Sequence, residues 1–143
     1  TSGSSGTSGI DGTSGTSGAQ GNSGSSGTSG VGSGGGVSWT AITSSVNALV
    51  NYGYITNSGS QVIVTLPSSA AVGSIIEVVG MGAGGWRVSQ NAGQQIHFGI
   101  LNTTTGTGGY LSSTQTYDTI RMVCNVENNE FTVIGAVGNI TII

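Results

Sequence analysis

Residues 119–137 read TIRMVCNVENNEFTVIGAV and show the clearest pattern in the chain. Apolar side chains occupy every second position from Ile120 to Val126, which is the spacing that places them on one face of a β-strand. The triplet Glu127-Asn128-Asn129 is typical of a turn, and a second apolar run follows it at 131–137. This stretch therefore predicts two consecutive strands and a β fold.

Shorter segments of the same kind fill most of the chain after residue 36. Residues 61–66 alternate in the same way, and Pro67 ends that segment because proline has no N–H to donate within a sheet. No stretch keeps a helical period over three turns, although residues 41–50 also suit a short helical turn. About eight strands at this spacing predict that residues 37–143 form an all-β domain, an antiparallel β-sandwich or jelly roll. The other predicted strands lie at 39–50, 52–55, 74–81, 86–89, 95–98 and 140–143.

Two of the predicted strands, 74–81 and 131–137, carry apolar residues on both faces. The outer face of a small antiparallel domain is normally polar. Apolar side chains on that face therefore predict contact with other subunits.

The first part of the chain has a different pattern, in which glycine recurs at every third residue and mostly Thr and Ser lie between. A three-residue period is that of a polyproline II helix, on which these glycines lie along one edge. Three such chains can wind together because only a hydrogen atom fits at the shared axis. The glycines of this edge are Gly3, Gly6, Gly9, Gly12, Gly15, Gly18, Gly21, Gly24, Gly27 and Gly30.

This segment resembles the collagen-like Gly-X-Y stalks that carry globular heads in bacterial surface filaments, spore-surface fibres and phage tail fibres. The resemblance implies a homotrimer with a stalk over residues 1–36, whose repeat would span about 90 Å if extended. Collagens use proline to preset the backbone, whereas the single proline here is Pro67, outside the repeat. A trimeric head, lateral packing in a filament or O-linked sugars would each compensate. The threonines considered for such sugars are Thr7, Thr13, Thr16 and Thr28.

Two other structures fit the same repeat. One is a bundle of polyglycine II helices, in which the glycine edges face neighbouring helices in a lattice. The other is a flexible linker, because Gly/Ser/Thr-rich segments are usually disordered. The glycine spacing alone does not separate them, but the strict phase favours an ordered repeat.

A second resemblance concerns the predicted β domain. The run from Gly85 to Gly99, GWRVSQNAGQQIHFG, is followed by Thr103-Thr104-Thr105-Gly106 and by Tyr117-Asp118. It is similar to the head domains of fibre and collagen-like proteins. This resemblance implies a trimeric, β-rich head at the end of a fibre.

Composition argues against several classes of partner. Charged residues make up 5% of the chain, the formal net charge is −3, and the only two cations are Arg87 and Arg121. Nucleic acids and anionic membranes bind clusters of cations, so we expect neither partner. No apolar run approaches the length of about 18 residues that a membrane helix needs, so no membrane span is expected. The first residue is Thr1, which fits a processed, extracellular protein or a fragment.

Catalysis and metal binding find little support in the sequence. His97 is the only histidine, and we interpret it as a polar residue on a strand face, rather than as part of a triad with Asp118. Glu127 and Glu130 flank a turn, which indicates solvated carboxylates rather than an acid–base pair. The single cysteine, Cys124, falls on the apolar face of its strand. We therefore expect no enzyme activity, no cofactor and no metal, with calcium at Asp118 or Glu127 as a weak alternative.

Glu77 lies inside an apolar strand, so we expect it to pair with Arg87 or Arg121. Trp86, Tyr110 and Tyr117 are candidates for a ligand-binding or interface surface, because aromatic rings beside Gln and Asn suit sugars. For Trp86 a place in the core or an interface is the stronger interpretation. The sequence thus predicts a structural subunit of an extracellular fibre or filament, and the alternative is a glycan-binding adhesin or tail-fibre head that uses loops within 99–117.

Overall fold

A computed structural model of the chain describes Gly3 and residues 36–143. Residues 36–143 contain twelve β-strands and no helix, which confirms the all-β prediction for this part of the chain. The strands are β1 (Ser38–Ile42), β2 (Val46–Asn47), β3 (Tyr52–Thr56), β4 (Val62–Thr65), β5 (Ile75–Gly80), β6 (Trp86–Ser89), β7 (Gln95–Phe98), β8 (Leu101–Asn102), β9 (Tyr110–Ser113), β10 (Thr119–Val126), β11 (Glu130–Val137) and β12 (Ile140–Ile142).

The strands form two sheets that share one core. The seven-stranded sheet has the order β1-β3-β5-β10-β11-β7-β8, and the five-stranded sheet has the order β12-β9-β6-β4-β2. Alternate residues of each strand face inward, and their apolar side chains form a single hydrophobic cluster. Its largest fully buried members are Trp86, Phe131, Leu66, Ile76, Ile96, Leu111, Ile120 and Met122. The arrangement agrees with the predicted sandwich.

Both sheets are mixed, which corrects the prediction of an antiparallel sandwich. The first six strands alternate between the sheets, so that β1, β3 and β5 lie side by side in one and β2, β4 and β6 in the other. Each neighbouring pair within these two sets is parallel. The chain returns to the same sheet only after crossing the other, so it re-enters in the same direction. Antiparallel pairing begins where β10 joins β5 and β9 joins β6.

The parallel strands are in register, and similar residues form rows across them. Val46, Val64 and Val88 face one another in the five-stranded sheet, and Leu111 of β9 continues the row. All but the edge residue Val46 are fully buried. The inward-facing apolar residues of neighbouring strands thus form a continuous inner layer.

Two buried glutamines connect the loops at one end of the sandwich. Gln94 donates from Nε2 to the carbonyl oxygens of Pro67 and Asn128 at 2.8 and 2.9 Å, and its Oε1 accepts from the Asn91 N–H at 2.8 Å. Gln90 donates from Nε2 to the carbonyl oxygens of Gln94, Thr104 and Gly106, and accepts from the Thr103 hydroxyl. The amides therefore satisfy backbone groups that the sheets leave unpaired.

Replacing Gln94 by leucine is expected to lower the free energy of unfolding by about 3 kcal/mol, because it leaves two carbonyl oxygens and one N–H without partners. Urea denaturation measures the change. Gln115→Leu is the control, because Gln115 is exposed, and its effect should stay within about 0.5 kcal/mol. Equal stabilities of the two variants would contradict a structural role for the buried amide.

Candidate functional site

The outer face of the seven-stranded sheet carries an apolar row across five strands. Ala41, Ile55, Val79, Thr119 and Val137 lie opposite one another in β1, β3, β5, β10 and β11. Val137 is 67% exposed, and Ile134 in the same strand is 54% exposed. A sheet face with this composition is unusual on the surface of a lone domain.

A second row on the same face contains the exposed tryptophan. Trp39 stands opposite Gly53 of β3, followed by Glu77 and Arg121 in the next two strands. The indole lies flat across Gly53, since a Cβ built on that glycine would come within 2.5 Å of the ring. The outer surface of the indole is still open, and Trp39 is 46% exposed. Glycine at position 53 thus allows a large aromatic surface to lie along the sheet.

Glu77 and Arg121 form an ion pair in the middle of this face. The distance between Arg121 Nε and Glu77 Oε1 is 3.3 Å, and the side chains are 42% and 15% exposed for Arg121 and Glu77, respectively. This confirms the prediction that Glu77 pairs with an arginine and identifies Arg121 as the partner. The pair compensates one of the two cations of the chain within this face.

A polar cluster surrounds His97 on the same outer face, toward the edge formed by β7 and β8. Its Nδ1 lies 2.7 Å from Asn102 Oδ1, and its Nε2 lies 3.0 Å from Glu130 Oε2. Both partners accept hydrogen bonds, so they favour the imidazolium, which has a proton on each nitrogen. The Asn102 amide and then Glu130 raise the pKa of His97 above its ordinary value of 6.5. The contacts are those of a polar residue on a strand face.

The outer face of the five-stranded sheet is polar. One row contains Asn47, Thr65, Ser89 and Tyr110. The adjacent row contains Ile63, Arg87, Ser112 and Thr141. The guanidinium carbon of Arg87 lies 3.7 Å from the centre of the Tyr110 ring, which is cation–π geometry. This face is therefore more polar than the two rows of the seven-stranded sheet that contain Trp39 and Val137.

The three aromatic residues proposed as ligand or interface residues lie in different environments. Trp86 is fully buried, and its Nε1 donates to the carbonyl oxygen of Asp118 at 2.8 Å. Its ring belongs to the core and presents no surface to a ligand. Tyr110 is partly covered by Arg87, and Tyr117 is 67% exposed in the loop before β10. No ring contact among the described residues joins these three side chains.

The remaining candidates for chemistry have structural contacts. Asp118 is buried, and its Oδ2 accepts from the N–H groups of Thr114 and Gln115 at 2.7 and 2.9 Å, so it closes a turn. Cys124 is buried as predicted, and burial raises the pKa of its thiol. Within residues 36–143, no group of three or more His, Cys, Asp or Glu side chains is placed to hold a metal ion. No helix in that range has the length and hydropathy for a membrane crossing.

An open cleft of about 320 Å³ lies between the loops that follow β2 and β4. Its walls contain no ionisable side chain. The lining residues are Asn47, Ala48, Leu49, Leu66, Pro67, Ser68, Ser69 and Asn91.

Most of the predicted stalk lies outside the described residues. Gly3 is described, and a Cβ built on it would meet no atom within 4 Å. The other repeat glycines lie outside the described part of the chain, and so do the threonines considered for glycosylation. They are Gly6, Gly9, Gly12, Gly15, Gly18, Gly21, Gly24, Gly27 and Gly30, with Thr7, Thr13, Thr16 and Thr28.

The raised pKa of His97 predicts a pH-dependent stability. Because the folded state binds the proton more tightly than the unfolded state, the stabilisation is fully present below the unfolded pKa of about 6.5 and is lost as pH rises through the higher folded pKa. Relative to His97→Gln, the native protein should lose stability as the pH rises from about 6.5 through the higher folded pKa. Urea unfolding at several pH values measures the difference. Because His97 is the only histidine, an NMR titration of its ring gives the folded pKa directly. A folded pKa at or below 6.5, together with the same pH dependence of stability in the native protein and in His97→Gln, would contradict the prediction.

A comparison of the chain with models of known protein families finds no match, and a comparison with curated proteins finds none either. The similarity to collagen-like fibre proteins therefore rests on the glycine spacing and on the runs after Gly85. The two outer faces provide the structural basis for assigning a function.

Proposed function

We propose that this chain is a structural subunit of an extracellular fibre, in which three copies associate through their heads and their glycine-repeat stalks. The head is the two-sheet domain after residue 36. Its role is to fix the number of chains and their register. The observation that carries the proposal is the apolar outer face of the seven-stranded sheet.

That face has the composition of a subunit contact. Exposed Trp39 and Val137 lie in neighbouring cross-strand rows, with half-buried Ile55 and Val79 between them. Burying apolar surface in a contact gains about 25 cal/mol per Å². The arginine on this face is already compensated, because Arg121 is paired with Glu77 within the same chain. Association would therefore desolvate a neutral pair rather than an isolated ion.

The stalk contributes the second part of the proposal. A glycine at every third position permits three extended chains to share an axis, and a head of fixed stoichiometry would hold them in phase. A trimeric head would stabilise a repeat without proline more than it stabilises a proline-rich collagen, because proline already presets the backbone of the latter. The three-residue repeat supports an assembly of three copies, whereas the apolar face by itself supports association without fixing the number of copies.

A second candidate function is a glycan-binding head, as in an adhesin or a tail fibre. The polar outer face of the five-stranded sheet favours it, because Tyr110 and Arg87 lie there among Ser and Thr side chains. The two functions use opposite faces and are compatible in one molecule.

Introducing a charge at Val137 is expected to dissociate the proposed trimer or weaken it at least tenfold. Val137 is 67% exposed in the single chain, so Val137→Asp should fold normally but place a charge in the contact. Thr141→Asp is the matched control, because it introduces the same charge on an exposed strand residue of the five-stranded sheet. Sedimentation equilibrium gives the oligomeric state. A native protein that sediments as a single chain, or two variants that assemble alike, would overturn the proposed contact.

The stalk is tested by Gly15→Val, which places a side chain at the shared axis. This change should lower the melting temperature of the stalk and expose residues 1–32 to a protease of broad specificity. Ser14→Val adds the same side chain one position earlier, off the axis, and should behave like the native protein. Circular dichroism and mass spectrometry of the digest supply the readouts. Similar behaviour of all three proteins would favour a flexible linker over a wound stalk.

A further inference from the structure

Arg87 is a cation without a carboxylate partner in the described part of the chain. The other cation, Arg121, is paired with Glu77 on the opposite sheet. No carboxylate oxygen of residues 36–143 lies within ion-pair distance of Arg87, and its one recorded polar interaction is with the Tyr110 ring. In a chain that is only 5% charged, a half-buried cation of this kind is a candidate for binding an anion from outside.

The contact with Tyr110 holds the guanidinium in one place. Its carbon lies 3.7 Å from the ring centre, and Nε is enclosed without a hydrogen-bond partner. The terminal nitrogens are therefore the groups through which Arg87 can bind. A planar guanidinium offers two parallel N–H groups at this end, which match the two oxygens of a carboxylate. Because the stacking fixes the side chain beforehand, less conformational entropy is lost on binding.

Neutral side chains flank this cation, and apart from Ile63, its neighbour in β4, they carry hydroxyl groups. In register with Arg87 lies Ser112 of β9, and the neighbouring row places Thr65 and Ser89 beside Tyr110. Hydroxyl groups both donate and accept hydrogen bonds, so they complement the hydroxyl groups of a sugar. Ser112 and Ser89 are half-buried and lie on strands rather than on loops, which fixes their positions.

We propose that the outer face of the five-stranded sheet binds an acidic saccharide, with Arg87 holding the sugar carboxylate and the hydroxyl groups of the flanking Ser and Thr side chains contacting the ring. Tyr110 is a positioning residue, because it acts by holding Arg87. The site rests on the second candidate function, a glycan-binding head, and gives it a ligand class; it does not depend on the structural role.

The charge of the site selects this ligand class. One cation matches the single negative charge of a sugar carboxylate. Nucleic acids and other polyphosphates bind through several cations, and this face has only one. An acidic peptide could bind Arg87 through its own carboxylate, but it would leave the neighbouring Ser and Thr hydroxyl groups without suitable partners.

The test is an NMR titration of the full chain with methyl β-glucuronide, and the ligand control is methyl β-glucoside, which has a neutral hydroxymethyl group in place of the carboxylate. The two arginines give only two side-chain Nε–H signals, so binding at Arg87 is separated from any effect at Arg121. We expect the glucuronide to shift the Arg87 and Tyr110 signals and to bind at least tenfold more tightly than the glucoside. Equal affinities for the two sugars would overturn the proposal.

Three variants separate the roles of the residues. Arg87→Gln should weaken glucuronide binding at least tenfold, and Arg87→Lys should weaken it less because the charge remains while the planar fork is lost. Tyr110→Leu should weaken binding, whereas Tyr110→Phe should bind like the native protein because its ring still stacks on the guanidinium. Unchanged binding by Arg87→Gln, confirmed as folded by near-ultraviolet circular dichroism, would refute the site.

Two further measurements distinguish other sources of the carboxylate. Acetate and N-acetylglutamate test whether the sugar ring contributes, and affinities equal to that of the glucuronide would overturn the saccharide assignment. Sedimentation of Arg87→Gln tests whether the carboxylate comes from another copy of the chain. A change in its oligomeric state would assign Arg87 to a subunit contact and refute the ligand site, whereas loss of binding with unchanged assembly supports it.

Discussion

The passage of the chain from one sheet to the other after each of its first six strands is the constraint on which the rest of this structure depends. It forces strands that are second neighbours in sequence to pair in parallel and in register. The register is then fixed by the core, because a slip of one residue would turn Tyr54 and Val78 outward and Ile55 and Val79 inward. The rows of side chains on the outer faces follow directly from this register.

The same constraint explains how the domain has two different outer faces. In the seven-stranded sheet it places Trp39 opposite Gly53, which lets the indole lie on the sheet, and it places Glu77 opposite Arg121, which neutralises the charges. In the five-stranded sheet it places Arg87 near Tyr110, and none of the five strands of that sheet contains an acidic residue. Each face is thus a product of pairing between strands that are distant in sequence.

Sequence patterns predicted the local structure well but did not predict the topology. Alternation identified the strands at 61–66, 86–89 and 119–126, because the period of two is a local property of a half-buried strand. It did not distinguish parallel from antiparallel pairing, since residues 75–80 would alternate in the same way beside either neighbour. The presence of an arginine partner for Glu77 followed from the cost of burying a charge, whereas the choice of Arg121 required the register of β5 and β10. The stacking of Arg87 on Tyr110 had no sequence signal, because it joins strands that are paired only in the fold.

The scarcity of charge gives the two arginines particular weight. A chain with few ions keeps its surface hydrated through hydroxyl, amide and backbone groups, and these groups exert little long-range field. Against that neutral background an isolated cation attracts anions more effectively than it would among competing lysines and glutamates. Arg121 lacks this property because Glu77 cancels its charge, whereas Arg87 retains it because its neighbours are a ring and hydroxyl groups. The neutralised arginine thus suits the subunit contact that we propose for its face, and the uncompensated one suits the ligand site that we propose for the other face.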